Sequence, residues 1–354
     1  MKYFVVSDVH GHSSILNASV INSGFDSNSL DHLLIICGDC FDRGSENKEL
    51  YEYFNTISNK IIIRGNHEEM LMNAIKRGYI NVADMYNGTE TTIENLFGSD
   101  SIDSRGRINI SDYRRKRIMD YLSQMVDYYE TQNYVFVHGW IPEINKLSGD
   151  WRNAPLSEWS DARWESWIEL CDKYGAINKT IVCGHRASKY ASQIDASRES
   201  DDCSPYYGKH FIAIDSNTVR SHEINVLVLE DEPLKVNMHY MTLKREFFDK
   251  IAKGSKTIEL RLFDEKRKCI KNGDLICFSA DDLSGATIKA KVLGTYVYPS
   301  FEALISDFDP RSMGFEKRKA SFICEYMKRI FDDNAIHKNG VVAIKVQMLK
   351  QEVL

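Results

Sequence analysis

Leu33-Leu34-Ile35-Ile36-Cys37-Gly38-Asp39-Cys40-Phe41-Asp42-Arg43-Gly44 decides how the first two thirds of this chain must fold. The apolar run fits a buried strand, and the glycine-flanked turn after it carries two carboxylates and a guanidinium. Four other runs end in the same way. Phe4-Val5-Val6 leads to Asp8-x-His10, Ile61 to Ile63 to Gly65-Asn66-His67-Glu68, Val135-Phe136-Val137 to His138-Gly139, and Ile181-Val182 to Gly184-His185. A hard divalent ion needs anionic and imidazole ligands converging from several backbone segments, and strand ends opening into Gly-containing turns present side chains to one point. Singly, each of these Asp, Asn or His residues is ordinarily a turn, cap or satisfied core group. Jointly they read as an enzyme's metal site, with Asn66 as a neutral oxygen donor. The set holds no thiolate, which favours manganese, then iron or zinc, in a higher-coordinate binuclear site over a structural zinc centre.

The same runs organise the rest of the first half. Glu68 to Ile75 places apolar residues at helical spacing behind an acidic first turn, so strands and helices alternate and a largely parallel sheet is expected, with ligands at its carboxyl edge. The later runs Phe211 to Asp215 and Ile224 to Leu229 lack a long helix between them and suggest an added antiparallel pair, or a second sheet. Tyr79 to Asp112 is polar and predicts loops and short helices over the site. Arg114-Arg115-Lys116-Arg117 reads as the solvated face of a helix whose other face carries Ile118, Tyr121, Leu122 and Met125. All five tryptophans fall between Trp140 and Trp167. Trp164, Trp167 and Leu170 at helical spacing favour the core of a small helical cap over an aromatic wall for a base or peptide.

At 354 residues, 43% of them hydrophobic, the chain exceeds what one core usually holds, so two domains are expected. The N-terminus shows no secretory signal and no apolar run is long enough to cross a bilayer; a cytoplasmic protein without a membrane partner is expected. The eight cysteines lack regular spacing, and Cys37-x-x-Cys40 lies inside the turn quoted above, so reduced and incidental thiols are expected. The net charge of -6 conceals an asymmetry: residues 1–237 carry 24 Lys+Arg against 35 Asp+Glu, whereas 238–354 carry 21 against 16. Only the second part has the sign that suits polyanions. The boundary falls near Pro233 to Met238.

Beyond it, Leu243 to Ala252 reads as an amphipathic helix with Phe247, Phe248 and Ile251 inward, stopped by Gly254. Lys256 to Leu262 reads as a strand with Ile258, Leu260 and Leu262 on one face and Thr257, Glu259 and Arg261 on the other. Further strands at Leu275 to Phe278, Thr287 to Val292 and Val341 to Met348 suggest a small, mostly β barrel.

Asp8-x-His10, Gly38-Asp39-x-x-Asp42-Arg43-Gly44, Gly65-Asn66-His67-Glu68, His138-Gly139 and Gly184-His185 resemble, in order and identity, the signature of the phosphoprotein-phosphatase branch of calcineurin-like metallophosphoesterases, which also contains the symmetrical diadenosine-tetraphosphate hydrolases. The resemblance covers roughly residues 1 to 235. It implies an α/β fold, the metallophosphoesterase-type α/β/β/α sandwich, in a domain of residues 1–236. It implies two divalent ions held by Asp8, His10, Asp39, Asn66, His138 and His185, with Asp39 as the bridge, and attack on phosphorus by a hydroxide they share. His67 would protonate the leaving alkoxide, oriented by Asp42. Arg43 would grip the phosphate, and a further phosphate-binding arginine is implied, with Arg163 the candidate and Arg152 and Arg186 also near ligand segments. Asn87-Gly88-Thr89 is similar to an Asn-Gly segment found over the site in bacterial members. The chain departs from the usual His-Gly-Gly by reading His138-Gly139-Trp140, an indole beside a ligand at the substrate entrance.

Gly254-Ser255-Lys256-Thr257-Ile258-Glu259-Leu260-Arg261, followed by Lys271-Asn272-Gly273-Asp274, resembles the start of ASCH domains, PUA-like β barrels associated with RNA or modified nucleosides. This implies a second domain over 238–354, with a ligand groove at Lys256, Thr257, Glu259 and Arg261. Some ASCH proteins deacetylate cytidine with a Lys and a Thr three residues apart; here the second position is Glu259. Two substrate classes follow for the whole chain. One is a serine/threonine phosphatase-like phosphomonoesterase; the alternative is a nucleotide or RNA-end phosphoesterase, including a diadenosine-tetraphosphate hydrolase, with the ASCH domain binding RNA or nucleotide.

Overall fold

In a computed structural model, the described residues are 1–170, 177–282, 284–316 and 319–349; the end of the second expected domain, 350–354, lies outside them. The chain forms two compact units. Residues 1–140 and 160–234 make the first, and 141–159 with 235–354 make the second.

Among its described residues the first unit contains nine strands: β1 Lys2–Val6, β2 His32–Cys37, β3 Lys60–Ile63, β4 Tyr129–Glu130, β5 Tyr134–Phe136, β6 Thr180–Cys183, β7 Tyr206–Tyr207, β8 Phe211–Ala213 and β9 Leu227–Glu230. They make two sheets, β3-β2-β1-β9 and β4-β5-β6-β8-β7. In the first, β1, β2 and β3 are parallel, with β9 antiparallel to β1; in the second, β5, β6 and β8 are parallel between antiparallel β4 and β7. The runs around Phe211 and Ile224 therefore do not pair with each other. The first joins β6 in the second sheet, and the second, shortened to Leu227–Glu230, covers the open edge of β1.

Alternation in β1 explains the layering. Phe4 and Val6 enter a cluster with Leu34, Ile36 and the helical residues Leu16, Leu50, Phe54, Leu71 and Ile75, while the Tyr3 ring meets Tyr129 and Phe136 of the second sheet at 6.4 and 6.3 Å. A strand covered on both faces needs apolar residues at every position, which is why these runs show no period of two. The result is the metallophosphoesterase-type α/β/β/α sandwich. The polar stretch after Tyr79 folds into helices Val82–Asn87 and Thr89–Phe97, parted by Gly88 at φ 89°.

The second unit has β10 Met238–Leu243, β11 Ile258–Leu262, β12 Leu275–Ala280, β13 Thr287–Tyr298 and β14 Val341–Met348, in the order β10-β12-β13-β14-β11. β10 runs parallel to β12 and the other pairs are antiparallel. The sheet curls into a half-barrel around Phe248, Ile251, Ile276, Phe278, Val292 and Ile344. β10 and β11 remain as edges, so the PUA-like barrel does not close into a ring. The strand expected from Lys256 begins at Ile258, because the backbone of Thr257 and Ile258 bonds to Ser312 instead.

The excursion 141–159 belongs to this unit through specific bonds: Asn145 donates to the Val297 carbonyl at 3.1 Å, Asn153 to Thr295 Oγ1 at 2.7 Å, and the Leu156 N–H to the Tyr298 hydroxyl at 2.9 Å. The tryptophans consequently do not build one cap. Trp151 and Trp159 pack on each other in the second unit at 5.9 Å, while Trp140 and Trp167 are buried against Phe211 in the first. Among the described residues no helix is long and apolar enough to cross a membrane.

Candidate metal centre

Every strand end picked out from the sequence converges in the first unit. Asp8, His10, Asp39, Asn66, His67 and His138 are all at most 3% exposed, and His185 is half-buried. The turns that bring them together are conformationally costly. Asp8, His10, Asp39, Asp42, Arg43 and His185 all hold positive φ, between 45° and 73°, and they are six of the eight such non-glycine residues described. A left-handed backbone at a non-glycine residue costs about 1–3 kcal/mol, so the surrounding packing must impose it.

Glu68 supplies much of that constraint. Its carboxylate accepts the backbone N–H groups of Gly65 at 2.8 Å, Asp39 at 2.9 Å, Cys40 at 2.8 Å and Phe41 at 3.3 Å, tying the turn after β2 to the start of helix Asn66–Arg77. Gly65 admits this closeness, since a Cβ there would lie 2.1 Å from Asp39 Oδ1.

Asp39 occupies the middle. Its Oδ1 is 3.2 Å from His138 Nε2, and its Oδ2 is 3.8 Å from both His10 Nε2 and His67 Nε2. Asn66 Oδ1 faces His138 Nε2 at 2.8 Å and His185 Nδ1 at 3.1 Å. Two groups of donors are close enough to hold an ion, His10–Asp39–His67 and Asp39–His138–His185, sharing Asp39. The second contains the expected ligands. The first contains His67, expected as a proton donor, and not Asp8. The Asp8 carboxylate instead accepts the His185 N–H at 3.0 Å.

The donor set suits cations on a physical test. His10 Nδ1 lies 3.0 Å from the Phe41 carbonyl and His138 Nδ1 2.8 Å from that of Cys37, so each ring donates there and turns its Nε2 inward. His138 Nε2 points at the Asp39 and Asn66 oxygens, a contact that calls for positive charge, whether a proton on the ring or a cation between the groups. The field is strong. Burial opposes a charged His138, but the Asp39 carboxylate outweighs it and lifts the ring to about 10; burial, and then His138 itself, pushes His185 down to about 3. Asp39 is held well below the usual carboxylate range, because His138, His67 and His10 together outweigh its burial.

The second constellation forms around Asp42. His67 Nδ1 lies 2.8 Å from Asp42 Oδ2, whose oxygens also accept Thr89 Oγ1 at 2.9 Å and Thr92 Oγ1 at 2.6 Å. Burial lowers the affinity of His67 for a proton, yet the Asp39 and Asp42 carboxylates raise it above the ordinary value. Arg43 is exposed and its guanidinium nitrogens lie 3.0 Å from His10 Nε2 and 3.2 Å from His67 Nε2, spanning the mouth of the site.

Arg163 is placed differently. It is 3% exposed and ion-paired with Glu69 at 2.8 Å and with Asp127. Trp140 is also buried, against Phe211, so its indole does not stand at an entrance. Glu68 and Thr89 lie in motifs quoted from the sequence but without a role there, and Thr92 and Asp215 are not among the candidates it offers. Asp215 lies beyond β8, beside Asp8; burial raises its carboxyl to about 6, and burial followed by the Asp215 charge raises Asp8 well above its ordinary range. Its signal was an apolar run ending in a carboxylate, Phe211 to Asp215, the same mark that revealed the others. Cys37 and Cys40 are buried thiols, pushed up by that burial.

The second unit holds a separate cavity of about 300 Å³ whose lining includes Lys256, Glu259, Arg261, Phe247, Phe315 and Tyr326. Thr257 is not part of it. Lys256 Nζ donates to the carbonyls of Ile258 at 2.6 Å and Met313 at 2.9 Å and lies 3.3 Å from Glu259 Oε2. Arg261 pairs with the other Glu259 oxygen and donates to Leu260 and Thr242 carbonyls at 2.9 and 3.0 Å. Glu259, expected on an open strand face, is 2% exposed, with Lys256 and Arg261 both paired to it within the cavity wall.

Comparison with known proteins agrees with both halves. Residues 1–224 match the calcineurin-like phosphoesterase family, and residues 241–349 match the ASCH domain. Protein PF0455 from Pyrococcus furiosus is 31% identical over 32% of this chain and 98% of its own, with a TM-score of 0.27. A protein serine/threonine phosphatase from Saccharomyces cerevisiae is 14% identical over 67% of this chain and 82% of its own, with a TM-score of 0.37. A metallophosphoesterase from Sphaerobacter thermophilus is 15% identical over 61% and 76%, with a TM-score of 0.34. No curated protein matches the chain. The family uses a binuclear metal centre, and the two histidine–aspartate groups sharing Asp39 can bind metal. With that family spanning 224 of its 354 residues, the chain belongs to the calcineurin-like phosphoesterases, hydrolases of phosphoesters, and carries an ASCH domain after the phosphoesterase part.

Proposed function

We propose that the first unit is a metal-dependent phosphomonoesterase, and the observation that carries this is the shared position of Asp39 between two donor groups beside the His67–Asp42 pair. Asp8, His10 and Asp39 would hold one divalent ion, and Asp39, Asn66, His138 and His185 the other, with manganese the first expectation. Such ions supply an acidified water and neutralise charge on phosphorus. The protein's own side chains do the rest. Arg43 offers a planar pair of N–H donors to the non-bridging phosphate oxygens. His67, oriented through Nδ1 by Asp42, presents Nε2 to the leaving oxygen and gives it a proton. Thr89 and Thr92 hold Asp42 from the far side. Arg163, matched by two carboxylates, serves as a strut rather than the second phosphate grip expected from sequence.

The motif set favours serine or threonine phosphate in proteins as substrate. The nucleotide reading is favoured by one exposed indole, taken up below. Turnover by the manganese-loaded full-length protein of a phosphopeptide, a dinucleoside polyphosphate and a 5′-phosphorylated RNA separates these classes. Failure to hydrolyse any of them, or hydrolysis indifferent to a chelator, would remove the metal-dependent reading.

For the second unit we propose a nucleoside-sized ring ligand in the 300 Å³ cavity. Phe247, Phe315 and Tyr326 form a mutual aromatic cluster at 5.4 to 6.0 Å, and Lys256 and Arg261 share the one Glu259 carboxylate. A ligand held mainly by ring stacking rather than by several phosphate contacts predicts weak salt dependence. Nucleoside affinity of the full-length protein should change less than about twofold between 50 and 200 mM salt, whereas a site making six to ten phosphate contacts loses about 10³–10⁵. A steep salt slope would point to a polyanion groove instead.

A further inference from the structure

One tryptophan of the five is left in solvent beside the metal centre. Trp164 is 52% exposed, whereas Trp140, Trp151, Trp159 and Trp167 are at most 4% exposed. Its ring stands 6.1 Å from the His185 ring at 82°. A lone apolar side chain left wet is ordinary, so what singles out Trp164 is its place against the ring of a ligand-bearing segment.

The backbone around it is anchored on both sides. Before it, Arg163 is locked to Glu69 and Asp127, Ser160 Oγ donates to Glu69 Oε1 at 2.8 Å, and the Ala162 carbonyl accepts the Trp140 N–H at 2.9 Å. After it, the buried Trp167 indole donates to the Arg186 carbonyl at 2.9 Å, one residue beyond His185. Gly139, next to His138, lies directly against this turn: a Cβ there would fall 2.5 Å from the Ala162 oxygen and 2.7 Å from the Arg163 oxygen. The two segments bearing His138 and His185 therefore both brace the turn that presents Trp164. A rigid, amphipathic ring held in place loses little entropy when a planar partner stacks on it.

Arg186, next in the chain to His185, is exposed with its guanidinium 4.9 Å from the Tyr190 ring centre. An aliphatic phosphoserine side chain has no ring to set against the Trp164 indole.

We infer that Trp164 is a stacking platform for a nucleobase, so that the site selects nucleotides over aliphatic phosphoesters. The inference rests on the phosphoesterase reading and takes its nucleotide alternative over serine or threonine phosphate. Stacking on a sequence-tolerant π-face would act on binding of the organic group and not on bond cleavage.

The test uses the manganese-loaded full-length protein with adenosine 5′-monophosphate, glycerol 2-phosphate and a phosphotyrosine peptide. Trp164→Ala is expected to raise KM for the nucleotide about tenfold, with kcat within about twofold and glycerol phosphate unaffected, while Trp164→Phe recovers most of the loss. Equal effects on nucleotide and glycerol phosphate, or none on either, would overturn the platform; a larger effect on the phosphotyrosine peptide would do so in favour of an aromatic protein substrate. A readout independent of turnover separates this from the chemistry. Adenosine 5′-monophosphate should quench part of the indole fluorescence of the wild type and less in Trp164→Phe, with Tm unchanged because the side chain is exposed. Quenching without hydrolysis of any phosphoester would retain the platform and reject the phosphoesterase reading; hydrolysis with identical quenching in both proteins would reject the platform alone.

Discussion

Asp39→Asn is expected to lower hydrolysis of a generic aryl phosphate by about 10⁴-fold and to release bound manganese, while leaving the fold intact. The reason is positional. Asp39 is the one carboxylate common to both donor groups, 3.2 Å from His138 Nε2 and 3.8 Å from the Nε2 atoms of His10 and His67. An amide of the same shape keeps an oxygen for the His67 N–H, which Asp39 Oδ1 accepts at 3.1 Å, so the start of helix Asn66–Arg77 should survive. What disappears is the negative charge that draws cations to a cluster of imidazoles. Metal content measured by atomic spectrometry, with circular dichroism as the folding control, checks both halves. A folded variant that keeps its manganese and its turnover would show that the bridge has been misplaced.

His67→Asn is expected to reduce turnover by about two to four orders of magnitude with metal content unchanged, the size of effect that follows loss of a general acid. The structure sharpens this experiment, because His67 Nε2 also lies within reach of Asp39 and His10 in a group able to hold an ion. The competing roles differ in two observables. A proton donor matters most when the leaving group is a poor one, so the deficit should be larger for an alkyl phosphate than for an aryl phosphate with an acidic phenol. A ligand would instead take a metal ion with it and depress both substrates alike. The bond from His67 Nδ1 to Asp42 at 2.8 Å, itself braced by Thr89 and Thr92, favours the proton donor. Loss of an ion in this variant would reverse the assignment, with Asp8 then left as a carboxylate supporting the His185 backbone.

How far the site could be read in one dimension follows from the kind of information each residue carries. Asp8, His10, Asp39, Asn66, His138 and His185 announce themselves because a strand buried on both faces must be apolar throughout, and its end is where a polar ligand type becomes conspicuous. Glu68 sits in the same motif, but its four N–H bonds to segments around Asp39 and Gly65 are invisible until helix and turn are brought together. Thr89 follows the Asn87-Gly88 pair read as lying over the site, but its bond to Asp42, 47 residues away, and that of Thr92, 50 residues away, are not legible in one dimension. Asp215 obeyed the strand-end pattern and was passed over, since its run was taken for an edge pair. The tryptophans misled because helical spacing places side chains on one face but does not say whose core they enter.

By itself, then, the order of residues determined the buried strands of both units and the roster of groups able to bind metal, because runs of buried strands and the turns that follow them are encoded locally; the sandwich was implied by the family resemblance. Tertiary structure alone decided how those groups are occupied. It matched Arg163 with Glu69 and Asp127, closed Lys256 and Arg261 around Glu259, buried Trp140, and left Trp164 in water beside His185. A side chain's charge and shape are properties of its residue. Whether that charge is available to a ligand depends on which partners the fold brings within about 3 Å, and those partners are distant in the chain.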